Sequence, residues 1–530
     1  MNPITKNKQM KKTIKLYMAL LGGLIISSCS KDFLTLYPEG NLNEGNFYAS
    51  EADFQQAVVG AYVPLRDVAN NAYFMDEMRA DNAEYFYYAK DRGNQTAENL
   101  TNYLDEPNNV INQNRYQADY NGISRTNVIL DRLNAITFTM SDTVKNQVTG
   151  QAKALRGHYY FDLVKNYGAV PLYLHEVVTS DQAYLPRSSA DSVYDQIIAD
   201  LAEAITLLPK PDFSSAQTGL VTKGTASMEL AVVYMQRKQF DKALPLLEDI
   251  SKMGYNLKTN FKDIFNPANK NGNEEMIFDV QYKSGSTTDL QSSNFPYRFI
   301  PLTPYTEVIM DVDFKNTIGG WNVPTPDLYQ LFEEGDSRLD ASIGVIEGSL
   351  DASNDFVPTK VVGSVVGYTK PANTEIRWFC KKYYYPPYGS INQNTDQNWP
   401  LYRFSDALLL LAECLNETGS SSAALEPLNR VRARAFGAGK GQITTTDPGQ
   451  LRTIIANERR RELAFENKRY QDLIRTDQAI TVMTAYGAAA KALHPYLLPQ
   501  TYNVTQSRLL YPIPQRERDL NTLLTQNPGY

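Results

Sequence analysis

Leu230-Ala231-Val232-Val233-Tyr234, followed by Phe240 and Ala243, decides how this chain is built. A leucine beside a small residue, then two aromatics and an alanine, is the spacing of a tetratricopeptide unit. Two antiparallel helices approach closely at the small positions and interlock at the large ones. The pattern returns at Leu411-Ala412-x-x-Leu415 and Ala424, with the same thirteen-residue step from leucine to alanine. A single helix pair of this kind cannot bury its apolar face alone, so a stack is implied.

Outward from these two sites, apolar residues at helical period mark 54–65, 125–133, 151–166 and 192–207, the last with Val193, Ile197, Leu201 and Ile205 at fours. Residues 454–474 read as one further helix. There Ile455, Leu463 and Phe465 stand among Glu458, Arg459, Arg460, Arg461, Glu462 and Glu466, with opposite charges three and four apart. Strand is sparse, at 276–280 and 361–366. From 253 to 400 Gly, Asn, Pro, Ser and aromatics dominate, and helical period survives only at 327–332. The expected fold is therefore mostly α: an α-α superhelix of tetratricopeptide-like pairs with a loop-rich insertion, 253–400, that holds little β. Residues 29–252 form a first helical region and 253–530 a second that includes the insertion. Loops on a rigid helical scaffold are where binding residues gather.

The N-terminus has its own logic. Lys6, Lys8, Lys11, Lys12 and Lys15 precede an apolar run from Leu16 to Ile26, too short to cross a bilayer. The run ends in Ile26-Ser27-Ser28-Cys29, a lipobox: residues 1–28 read as a lipoprotein signal peptide and Cys29 as the lipidated residue. Two acyl signals give a stable anchor where one does not. Met10-Lys11-Lys12 is an alternative start, since residues 1–9 add nothing a signal needs.

A net charge of -7 argues against nucleic acid as a partner, which is held by clustered Lys and Arg. Besides Cys29 only Cys380 and Cys414 remain, so neither a disulfide framework nor a CxxC metal site is on offer. A single disulfide between them stays open, although Cys414 lies on an apolar helical stripe that suits a buried free thiol. The histidines, His158, His175 and His494, form no HExxH, and there is no GxSxG, Walker loop or GxGxxG. His158, among apolar neighbours, reads as a core histidine. Asp76, Glu77, Asp81 and Glu84 supply enough carboxylates for a glycosidase pair, which leaves a surface glycoside hydrolase as the remote alternative. No cofactor, no metal and no catalytic residue is expected.

The compositional signal is tyrosine: 35 Tyr against 21 Phe and 3 Trp. Tyrosine joins a flat apolar face to a polar tip and suits partly wet surfaces. Its densest cluster is Tyr85-Phe86-Tyr87-Tyr88, after Asp81-Asn82 and before Asp91-Arg92-Gly93-Asn94. Sugar rings offer C–H faces to aromatic planes and hydroxyls to Asp, Asn and Arg at the edges, and this stretch holds both.

Several blocks together resemble the SusD/RagB family of outer-membrane nutrient-binding lipoproteins. They are Cys29-Ser-Lys-Asp-Phe-Leu34 with Pro38; Ala154-Leu-Arg-Gly-His-Tyr-Tyr-Phe-Asp-Leu-Val-Lys-Asn-Tyr-Gly-Ala-Val-Pro-Leu172; Trp399-Pro-Leu-Tyr-Arg-Phe-Ser-Asp-Ala-Leu-Leu-Leu-Leu-Ala-Glu413; Asn457-Glu-Arg-Arg-Arg-Glu-Leu-Ala-Phe-Glu466 with Arg469, Asp472 and Leu473; and Asn527-Pro-Gly-Tyr530. The resemblance implies four tetratricopeptide-like units, no catalysis, and a lipid-anchored lid at the outer membrane. That lid captures oligosaccharides, or in a second reading peptides, for a SusC-like TonB-dependent transporter. It also implies that the charges of 457–473 neutralise one another inside the scaffold. By order along the chain it places the ligand platform in 81–94 and around Tyr297 and Trp321, with Arg377-Trp378, or Tyr385 and Tyr388, as a third contributor. The candidate ligand residues are thus Asp81, Tyr85, Tyr87, Tyr88, Asn94, Tyr297, Trp321, Arg377 and Trp378.

Overall fold

The computed structural model describes residues 47–90, 94–214, 219–285 and 291–530. Cys29, the signal peptide and Asp91-Arg92-Gly93 lie outside the described residues.

The helices stack in chain order. Asp142–Tyr167 packs between Val110–Asn134 and Ala190–Leu207; the latter packs on Lys223–Gln236, which pairs with Phe240–Ile250. Phe404–Glu417 lies against that last helix and carries Leu425–Phe436 and Pro448–Glu462. Leu230, Ala231, Ala243, Leu411, Ala412 and Ala424, the residues of the repeated spacing, are all buried between these pairs. One apolar core runs from Phe54 to Leu524, so both regions of the chain share it.

Local chemistry sets the helix ends. Asn109 Oδ1 accepts from the amides of Ile111 and Asn112 at 3.1 and 3.2 Å and starts Val110–Asn134. The helix Asp142–Tyr167 stops at Gly168, whose φ of 70° suits glycine. Residues 54–65 are not one helix but the end of Glu51–Tyr62 and the start of Pro64–Ala72, because Pro64 has no amide to continue the ladder.

The segment 454–474 is also divided, into Pro448–Glu462 and Arg469–Arg475. The break has a distant cause. The buried carboxylate of Glu77 accepts from the amides of Phe465 at 2.8 Å and Asn467 at 2.9 Å, and both residues take positive φ, 67° and 61°. Amides bound to Glu77 cannot close helical turns.

The insertion is closed at its base by the antiparallel strands Met276–Val280 and Trp399–Arg403. Inside it, Phe356–Val361, Ile343–Leu350 and Glu375–Cys380 form a three-stranded antiparallel sheet with Ile343–Leu350 in the middle. The expected strand at 361–366 ends where it was to begin: Asp340 takes the Val365 amide at 2.6 Å, which removes it from any ladder, and the Ser364 hydroxyl at 2.7 Å. A short pairing of Ala83–Glu84 with Val323–Pro324 ties the early loop to the insertion.

The charges of 457–473 are paired inside the scaffold, but only in part with one another: Glu458 with Arg461 and Arg459 with Asp472 are internal, and most other partners come from outside the segment. Glu458 meets Arg338, Arg432 and Arg461 at 2.6–2.7 Å. Glu462 meets Arg338, Arg403 and Arg434 at 2.5–3.1 Å. Burial pushes the Glu458 carboxyl up, but its three arginines outweigh it and hold the group at about 2. Buried charges of this density survive only when paired. His158 is likewise satisfied, with Nδ1 2.7 Å from Glu229. Cys380 and Cys414 are buried free thiols.

The last residues are bound to the first third of the fold. Asn112 Nδ2 donates to the Pro512 carbonyl at 2.9 Å, Asn527 Nδ2 to the Tyr167 carbonyl at 2.9 Å, and Tyr530 Oη to Asp105 at 2.8 Å.

Candidate functional site

The Ala83–Glu84 pairing delivers Tyr85-Phe86-Tyr87-Tyr88 to the surface in extended form, so its side chains alternate in direction. Tyr85 and Tyr87 turn one way. Tyr85 is buried, with its ring 6.0 Å from Trp321 and 6.2 Å from Tyr496, and its hydroxyl accepts from Asn102 at 2.9 Å. Tyr87 lies face to face with Tyr496. Beside Tyr496, His494 Nε2 is 3.2 Å from Glu84, which pins the segment 494–496 against the early loop.

Phe86 and Tyr88 turn the other way. Phe86 is 38% exposed and lies under Arg377, whose guanidinium stands 4.3 Å from its ring centroid and 4.7 Å from that of Phe356. Burial lowers the Arg377 pKa against the pull of Glu375, 3.3 Å away. Tyr88 donates to Asp355 at 3.1 Å, and Lys90 reaches the same carboxylate at 3.1 Å. Tyr305, 44% exposed, donates to Asp351 at 3.3 Å. The Phe86 amide donates to the Gly320 carbonyl at 2.7 Å, which sets Trp321 beside the same loop. The result is an open aromatic ridge with two flanks, Tyr87, Tyr496 and Trp321 with His494 on one and Phe86 and Tyr88 with Arg377 and Asp355 on the other. Enclosure does not mark it: a cleft of about 320 Å³ between Leu208, Tyr255 and Asp279 lies on the helical side, and no residue of the ridge lines it.

Of the expected ligand residues, Tyr87, Tyr88, Trp321 and Arg377 are brought together here, each half-buried. Others are not. Asp81 is buried, with its carboxylate held by Arg469 at 2.7 Å and Arg460 at 3.0 Å, and has no edge to offer a sugar. Tyr297 has no exposed surface; it stacks on Phe314 in a second core beneath the sheet. Tyr85 supports the ridge from below. Asn94 caps the helix Gln95–Thr101, its Oδ1 accepting from the Ala97 amide at 3.2 Å. Trp378 follows Arg377 in a strand and so points to the opposite face, where it packs on Tyr329. Tyr385 and Tyr388 are turned inward, bonded to the Lys262 and Tyr383 carbonyls.

The acidic candidates are all engaged: Asp76 with Arg115 at 2.7 Å, Glu77 with two backbone amides, Asp81 with its arginines, Glu84 with His494. Sequence reasoning passed over Tyr496 and Asp355, because only tertiary pairing brings them to the early loop.

A family model described as "SusD family" matches residues 274–530, and one described as "Starch-binding associating with outer membrane" matches residues 32–235. A SusD-like protein of Formosa agariphila is 28% identical over 98% of this chain and 100% of its own length. Among solved structures, surface glycan-binding protein A of Bacteroides thetaiotaomicron in complex with laminarihexaose is 25% identical, with a TM-score of 0.72 over 90% of this chain and 99% of that one. A SusD homolog of the same organism, 22% identical, shares the fold with a TM-score of 0.74 over 93% of this chain and 100% of its own. The two models follow one another along the chain and leave little of it unmatched: it belongs to the SusD family.

Proposed function

We propose that this protein captures oligosaccharides on the ridge and hands them to a SusC-like TonB-dependent transporter, while acyl chains at Cys29 hold it to the face of the outer membrane. The observation that carries this reading is the ridge itself, where the early loop, the insertion and the segment 494–496 converge to expose aromatic planes edged by hydrogen-bonding groups. Aromatic planes favour the C–H faces of sugars, and fixed polar edges orient hydroxyls. The glycan complex of a relative with the same fold supports it.

The test is calorimetric titration of the soluble protein, begun at Ser30, with laminarihexaose and other hexasaccharides and with a peptide library. Binding of at least one oligosaccharide without release of reducing ends is expected, together with its loss in Phe86→Ala and Trp321→Ala. Tight binding of peptides alone would transfer the site to the second reading, a peptide-capturing lid.

A further inference from the structure

The basic side chains of the ridge are not alike. Arg377 faces Glu375 at 3.3 Å, Lys90 faces Asp355 at 3.1 Å, and His494 faces Glu84 at 3.2 Å. Arg298 differs. Among the described residues no carboxylate lies within salt-bridge distance of it, and its one side-chain hydrogen bond there is a long one, from Nε to Asn294 Oδ1 at 3.4 Å. Its two terminal nitrogens have no hydrogen-bond partner among the described residues, and the residue is half-buried, within reach of solvent.

Its place is fixed relative to the ridge. The Trp321 amide donates to the Arg298 carbonyl at 2.9 Å and the Gly320 amide to the Ile300 carbonyl at 2.8 Å, so the two segments run side by side. Both side chains lean on one ring: Trp321 packs edge-on to Phe74 at 5.3 Å, and the Arg298 guanidinium stands 5.9 Å from the same centroid. A guanidinium presents paired N–H groups in a rigid fork. Next to an indole on which a sugar ring can stack, that fork meets two adjacent oxygens of the ring.

Resting on the capture reading above, we propose that Arg298 is the polar anchor of the site, its terminal nitrogens donating to two neighbouring hydroxyls of a sugar stacked on Trp321, and that the ligand is an uncharged oligosaccharide. Charge settles the class. A polyanionic glycan needs several unpaired cations along its length, and the ridge has one. Asp351, Asp355 and Glu375 offset Arg298, Arg377 and Lys90, so these groups bring no net positive charge to the ridge, and the chain carries a net charge of -7. Successive carboxylates or sulfates would find no net positive charge within a Debye length of about 8 Å to offset them.

The test titrates neutral hexasaccharides (laminarihexaose, maltohexaose, xylohexaose) and a hexagalacturonate into the wild type, Arg298→Gln and Arg298→Lys at 50 and 300 mM NaCl, with melting midpoints recorded alongside. A neutral hexasaccharide binds with an affinity that does not change with salt, and hexagalacturonate does not bind. Arg298→Gln loses about tenfold or more in affinity, as expected for a charge-assisted hydrogen-bonded pair, at an unchanged midpoint. Arg298→Lys, which keeps the charge but not the fork, loses as much. Wild-type affinity in Arg298→Gln overturns the anchor, and rescue by lysine overturns the forked geometry. Salt-sensitive binding of hexagalacturonate overturns the neutral class while leaving oligosaccharide capture standing. Binding of no saccharide at all removes both.

Discussion

Tyr87 and Tyr496 come from opposite ends of the sequence and lie face to face, with ring centroids 3.9 Å apart and planes within 8° of parallel. Each ring braces the other, and Glu84 with His494 clamps the contact from one side. Such pairs contribute about 1 kcal/mol beyond area burial. In a double-mutant cycle of Tyr87→Ala and Tyr496→Ala, followed by denaturant unfolding, a coupling near that value is expected. Strict additivity would show two neighbours with no mutual support.

Asp81 gives the contrasting case. Burial pushes its carboxyl up, yet the bond from Arg469 and the charges of Arg460 and Arg469 outweigh that and hold it below the usual range. Its stabilisation is therefore present above the ordinary aspartate pKa and is lost as pH falls through the depressed one. Asp81→Asn leaves Arg469 without its carboxylate, while Arg460 keeps Asp327 at 2.6 Å, at a cost of about 3 kcal/mol. Chemical denaturation should record that loss while oligosaccharide affinity stays within about twofold of wild type, as befits a residue that braces the scaffold.

Glu77 titrates in the opposite sense. Burial pushes its carboxyl up to about 7, although the amides of Phe465 and Asn467 and the Asn82 side chain pull it down. The folded protein then holds a proton that the unfolded chain releases, so this group's contribution is intact below about 4.5 and declines as pH rises to 7, by about 3 kcal/mol in all. Glu77→Gln removes the titration. The melting midpoint of the variant minus that of the wild type should rise steadily from pH 5 to pH 8; a constant difference would place the carboxyl's titration elsewhere.

Gly122 marks the closest approach of two long helices. A Cβ there would stand 2.2 Å from the Tyr159 ring, and that ring cannot swing aside because its hydroxyl donates to the Ala61 carbonyl at 2.7 Å. Gly122→Ala gains about 1 kcal/mol in helix propensity and loses more, about 1–3 kcal/mol, to overpacking. A lowered midpoint is expected in thermal unfolding, and a raised one would mean that the helices can part.

Long helices were readable because their apolar period repeats within each segment, as at Val193, Ile197 and Leu201, all fully buried. That the charges around Glu458 and Glu462 are paired inside the scaffold was readable too, but that Arg338, Arg403, Arg432 and Arg434 supply most of the partners was not, because those residues are distant in sequence or on other elements. What escaped was set by distant partners. Nothing local in 454–474 announces that Glu77 will take the amides of Phe465 and Asn467. The ridge escaped for a related reason: in extended segments, neighbours such as Arg377 and Trp378 face opposite ways, and only the pairing of Ala83–Glu84 with Val323–Pro324 decides which face meets solvent.

The bonds from residues 512–530 back to Asn112, Tyr167 and Asp105 bear on the order of events when the chain is made. Helices of the first third leave the ribosome long before the groups that satisfy them, and contacts at such separation form slowly. Until those last residues arrive, the Asn112 side chain, the Tyr167 carbonyl and the Asp105 carboxylate stand without these native partners.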